Sequence, residues 1–190
     1  SIFDTLGVSV AEMKDRSPFS VFRRRFPWLL ATIASGTVCA LLVGFFEATL
    51  AQSLILAFFL TLVLGLGESV SMQTMAITVH FMHHRRAQSG WYFEVLRREL
   101  IRTLLLALAC GVIVGAIAWL WRGEAAAAFV IGFGIFLSLL LAGFIGVSVP
   151  SLLHRLKLDL RVASGPLTLA LADICTVVAY FSLATKILVP

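Results

Sequence analysis

Residues 53–82 read SLILAFFLTLVLGLGESVSMQTMAITVHFM, a run in which Glu68 is the single formally charged side chain. About 20 consecutive apolar residues cross the hydrocarbon of a bilayer as a helix, so this run is long enough to span one. Four further stretches meet the same standard: Trp28 to Leu50, Thr103 to Trp121, Ala125 to Val149 and Gly165 to Val189. Between them the polar residues gather in short connections, at Ala51 and Gln52, His83 to Arg102, Arg122 to Glu124, and Pro150 to Ser164. The expected fold is therefore an all-α integral membrane domain of five transmembrane helices over residues 28–190. An opening segment, 1–27, ends in Phe19, Phe22, Arg23, Arg24, Arg25 and Phe26, an aromatic and basic mix suited to headgroup depth.

Composition agrees with a lipid solvent. Of 190 residues, 60% are hydrophobic and 13% charged, with a mean hydropathy of +1.00, whereas soluble domains run near 45–50% apolar and about 25% charged. The 15 Lys/Arg and 10 Asp/Glu are too few to coat a globule of this size. The net charge of +5 reads as loops near anionic headgroups and not as a nucleic-acid surface. Cys39, Cys110 and Cys175 sit in apolar runs without CxxC spacing and read as small buried hydrophobes. No signal peptide is read after Ser1.

Orientation follows from where Lys and Arg fall. Lys14, Arg16 and Arg23 to Arg25 precede the first span; Arg85, Arg86, Arg97, Arg98 and Arg102 lie between the second and third; Arg155, Lys157 and Arg161 lie between the fourth and fifth. The other side holds Arg122 and Lys186 alone. Thirteen against two puts the N-terminus in the cytoplasm and the C-terminus outside, in a multi-pass protein of the cell membrane. Small residues recur along several spans: Gly36, Ala40 and Gly44 in the first, Gly111 and Gly115 in the third, and Gly132, Gly134, Gly143 and Gly146 in the fourth. They are expected to let helix backbones approach closely.

Two acids fall near the middle of their spans, Glu68 in the second and Asp173 in the fifth, while Glu47 lies near the outer end of the first. A carboxylate at that depth costs about 2.5–3.5 kcal/mol and persists only where water, a partner or an ion compensates it. No Lys or Arg stands at matching depth, so the natural partner is a transported cation. Oxygen ligands of this hardness suit Mg2+ or Ca2+ better than a soft metal. A protonated acid hydrogen-bonded to Ser or Thr is the alternative for each. Around Glu68, from Gly65 to Thr74 and including Ser69, the chain is polar and glycine-rich, which predicts a broken helix lining a cavity. Ser164, Gly165 and Pro166 predict a distorted first turn of the fifth helix, and among the i±3 and i±4 neighbours of Asp173 only Thr176 is polar. The candidate cation ligands read from the residues are Asp173, Glu68, Ser69, Gly165 and Thr176, and the resemblance described next adds Asp159. His80, His83 and His84, beside Arg85 and Arg86, read as interfacial.

The stretch Leu158-Asp159-Leu160-Arg161-Val162-Ala163-Ser164-Gly165-Pro166-Leu167, followed by Leu171-Ala172-Asp173, resembles the LDPAxxSxPxxxTLxD signature of the MgtE magnesium channels. Leu64 to Gly67 with Gln73 and Thr74 resembles that family's LGTGGNxGNQS, and Phe46-Glu47 its FE. The resemblance implies a homodimer with the pore between subunits, Asp173 as the pore aspartate, and Asp159 as an acid at the cytoplasmic mouth. Where the family has asparagines this chain has Ser69 and Met72, where it has a glycine this chain has Glu68, and Gly165 replaces the asparagine before the proline. The expected function is a divalent-cation channel or transporter, with Mg2+ foremost and Mn2+, Co2+ or Ca2+ as other candidate ions. A proton- or Na+-coupled exchanger and a non-conducting membrane scaffold are the alternatives. No enzymatic activity is expected, and the chain offers no nucleotide-binding loop for ATP-driven pumping.

Overall fold

The computed structural model describes residues 17–84 and 90–189, without the side chains of 161–163. Lys14, Arg16, Arg85 and Arg86 of the charge argument thus lie outside the described residues. Six helices follow one another: α1 Pro18–Phe45, α2 Glu47–Gln52, α3 Ile55–His84, α4 Trp91–Arg122, α5 Ala125–Arg155 and α6 Leu160–Leu188. No strand occurs among the described residues. All but α2 are long and apolar enough to cross a membrane. Their 28 to 32 residues, at about 1.5 Å each, give rods of roughly 42–48 Å against a hydrocarbon core near 30 Å. The chain is a multi-pass membrane protein.

The helices outrun the apolar runs. α4 begins at Trp91, twelve residues before the predicted span, because Glu94, Arg98, Glu99 and Arg102 pair at helical spacing: Arg98–Glu94 at 2.8 Å and Arg102–Glu99 at 2.6 Å. α1 begins at Pro18, with the proline in the first turn where its missing N–H costs nothing, so the aromatic and basic residues 19–26 share one helix with the first crossing. That crossing ends at Phe46, whose N–H reaches the carbonyls of Leu42 and Val43. Glu47 therefore opens the separate helix α2 and is not inside the first span. The tight α4–α5 link turns on Gly123 at φ 72°, a left-handed conformation that suits glycine, with its N–H 2.7 Å from the Trp119 carbonyl.

α5 is the hub, packing on α3, α4 and α6, whereas α1 rests on α6 and on α2. Burial follows: 56% of the most apolar window of α5 is buried, against 6% for α1, whose one buried residue is Cys39. Glycines set the crossings. A Cβ on Gly111 would lie 2.7 Å from the Gly132 carbonyl oxygen, and one on Gly146 would lie 2.7 Å from the Ser71 carbonyl oxygen. Gly134 accommodates the Tyr180 ring, which is itself fixed by a 3.0 Å bond from its hydroxyl to the Leu56 carbonyl. On α1, by contrast, Gly36 and Gly44 have nothing within 4 Å, so that ridge packs against nothing among the described residues.

Two expectations about backbone irregularity are corrected. α3 runs unbroken through Gly65 to Thr74, and hydroxyls able to compete with the helix instead support it: Ser71 Oγ donates to the Glu68 carbonyl at 2.9 Å and Thr78 Oγ1 to that of Thr74 at 2.8 Å. Gly67 is needed for clearance, since a Cβ there would meet Thr176 Oγ1 at 3.0 Å. α6 likewise begins at Leu160 and passes through Ser164, Gly165 and Pro166 as helix, with Ser164 Oγ bonded to the Leu160 carbonyl. Pro166 removes one backbone donor without breaking the rod.

Candidate functional site: a carboxyl pair between α3 and α6

Glu68 and Asp173 are 105 positions apart in sequence (173 minus 68), and the packing of α3 against α6 brings them together. Gly67 and Thr176 make this approach possible: the absent Cβ of Gly67 leaves room for Thr176 Oγ1, and the neighbouring positions then face each other across the same seam. The two carboxyl groups lie within hydrogen-bonding reach of each other. Both side chains are half-buried. Asp173 Oδ1 is itself buried and has no hydrogen-bond partner among the described residues, and neither carboxyl has a Lys or Arg partner there.

Two ionised carboxylates in contact repel, more strongly in a low-dielectric surrounding than in water. Their approach is favourable when a cation or a proton lies between them. The pair is thus chemically equipped to hold a hard cation through oxygen, or a shared proton, and to exchange one for the other.

The remaining candidates divide. Thr176 is buried one turn beyond Asp173 against Gly67, at the pair. Ser69, next to Glu68, is exposed on another face of α3. Gly165 is buried in α6, eight residues or roughly 12 Å along the axis from Asp173. Asp159 is exposed in the α5–α6 connection, 14 residues from Asp173 and so at the end of the bundle. Among the described residues no group of three or more His, Cys, Asp and Glu side chains could hold a metal ion. His80 and His84 do stack, with ring centroids 4.1 Å apart, but His84 Nδ1 is occupied by the His80 carbonyl at 3.0 Å.

Two features escape a reading of the chain alone. Cys39, the buried residue of α1, lies within electrostatic reach of both Asp173 and Glu68. Only the docking of α1 on α6 reveals this. Glu99 is 4% exposed, held by Arg102, and Tyr92 on the same helix bonds Ser148 of α5 at 2.8 Å. The Glu94/Arg98 and Glu99/Arg102 spacings were the available signal.

The model of the MgtE family, described as divalent cation transporter, matches residues 60–183 of the chain, a segment that holds both carboxyls. Magnesium transporter MgtE of Bacillus subtilis is 29% identical over 171 residues, covering 90% of this chain and 38% of that protein. The proteins of the same name from Enterococcus faecalis and Thermus thermophilus are 26% and 27% identical, over 94% and 92% of this chain. The chain spans 38–39% of the length of these curated relatives.

Proposed function

We propose that this chain, which belongs to the MgtE family of divalent cation transporters, conducts a divalent cation, Mg2+ foremost, across the membrane past the carboxyl pair of Glu68 and Asp173. The observation that carries the proposal is the contact of these two acids inside membrane-spanning helices, with Asp173 Oδ1 buried and unpartnered among the described residues. A cation entering the seam replaces the missing countercharge, and the carboxylates replace part of its hydration. Mg2+ demands octahedral oxygen coordination and sheds water reluctantly, so one pair supplies only part of its shell and retained water completes it. A second copy of the chain around a shared axis would supply a second pair, which is the reason to place the pore in a homodimer. Thr176 contributes a hydroxyl next to the pair. Gly165 lines the approach while Ser69 stands on another face of α3, and Asp159 concentrates cations at the mouth, which on our reading of the arginine distribution is cytoplasmic together with the N-terminus. Mn2+, Co2+ and Ca2+ are the competing ions, and transport of this kind involves no enzymatic step.

The contact of the two acids also favours a second reading, a coupled exchanger in which a proton shared by the pair leaves as the cation binds. Flux of Mg2+ into liposomes reconstituted with the purified protein, measured with and without a pH gradient, separates the readings. Entry that ignores the gradient supports the channel, and entry that requires it supports exchange. No flux of any divalent cation overturns both and leaves a scaffold.

A further inference from the structure

Across the bundle from the carboxyl pair, the glycine crossing of α4 and α5 leaves a furrow of about 550 Å3 on the outside of the protein. Glycine and apolar side chains line it throughout. One wall is a ladder of parallel rings, Phe129 over Phe133 at 5.7 Å and Phe133 over Phe136 at 5.9 Å. The other wall runs along α4 from Ala107 to Trp119. The twelve steps between those residues rise roughly 18 Å, close to the depth of one leaflet at about 15 Å of hydrocarbon. The floor is closed by backbone, because Gly111, Gly115 and Gly132 are already used against each other.

One turn beyond Trp119, at the end of the furrow, stands Arg122, which is exposed and has no ion-pair partner among the described residues. Glu124, also exposed, stands at the N-cap of α5 and does not pair with it. Trp119 and Trp121 flank the arginine at 55% and 61% exposure, the amphipathic rings expected at headgroup level. We propose that this furrow is a binding site for one anionic phospholipid, with an acyl chain lying between Trp119 and the phenylalanine ladder and the headgroup phosphate on Arg122. The chemistry is complementary at both ends: a dry slot of leaflet depth, and an unpaired guanidinium whose planar donors match a phosphate.

The test is native mass spectrometry of the delipidated protein titrated with phosphatidylglycerol or with phosphatidylcholine of the same chains. The expected result is one strongly retained phosphatidylglycerol per chain, and weaker retention of phosphatidylcholine. Arg122→Gln should lower the preference for phosphatidylglycerol about fivefold, the effect of one basic residue near a membrane surface. Ala116→Trp and Val112→Trp, which fill the furrow from exposed positions, should abolish retention of both lipids while helicity and melting temperature of the lipid-free protein stay unchanged. Equal retention of the two lipids with no effect of Arg122→Gln would remove the headgroup from the proposal. Unchanged retention in both tryptophan variants, or disulfide cross-linking of Val112→Cys between two copies, would overturn the site itself.

Discussion

Replacing Gly146 by alanine tests the packing that positions the carboxyl pair. A Cβ at this position of α5 would lie 2.7 Å from the Ser71 carbonyl oxygen, 2.8 Å from Thr74 Cβ and 3.2 Å from the Met75 amide nitrogen. Two of these neighbours are backbone atoms of α3 and cannot swing aside as a flexible side chain would. Ordinary contact begins near 3.4 Å, so α3 and α5 must separate by about 0.7 Å or tilt. Overpacking of this kind costs about 1–3 kcal/mol, a five- to 140-fold change in the folding equilibrium. Gly36→Ala is the matched control: nothing lies within 4 Å of that position, and stability should hold within about 0.5 kcal/mol. Unfolding in mixed micelles of rising SDS fraction, followed by circular dichroism, reads both variants. Because Ser71 donates to the Glu68 carbonyl, a displaced α3 also moves Glu68 relative to Asp173, and cation flux should fall with stability. Equal unfolding midpoints for Gly146→Ala and wild type would refute the close α3–α5 contact and the argument built on it.

Asp173→Asn should strongly reduce divalent-cation flux in proteoliposomes while leaving the protein inserted and folded, since it removes attraction for the ion and a buried charge without a basic partner; undiminished flux would remove Asp173 from the pore. Acid should inhibit transport, because protons and cation compete for the same pair, and Glu68→Gly should flatten that profile; an unchanged pH profile with lowered thermal stability would make Glu68 structural. Tyr180→Phe should cost about 1 kcal/mol in the same SDS titration, through loss of the 3.0 Å bond to the Leu56 carbonyl, with little effect on flux.

The five crossings were legible because lipid imposes one rule on every residue of a span, and a run of about 20 apolar residues satisfies that rule visibly. Helix ends were less legible. Trp91 to Arg102 is helical by charge pairing outside the apolar run, which a count of hydrophobic residues overlooks. The glycine-rich stretch at Glu68 looked like a break because glycine and serine weaken helices in isolation. In the protein those small residues serve clearance between helices, and only the partner across the seam, Thr176 for Gly67, reveals that use. Glu68 and Asp173 could each be singled out from depth alone. That they touch each other, with Cys39 nearby, depends on which faces of α1, α3 and α6 meet, and such information is not carried by any one stretch.

The long sequence separation of the two acids has a consequence for biogenesis. A ribosome adding about 5–20 residues per second needs roughly 5–20 s to travel the 105 positions from Glu68 to Asp173. Through that interval α3 must wait in or beside the insertion machinery with its carboxyl unmatched, because the helix that meets it is made only after α4 and α5. α5, the hub on which α3 packs, emerges in between and gives α3 a neighbour before α6 arrives. Assembly therefore proceeds around α5, and the seam that holds the carboxyl pair closes only after α5 is in place.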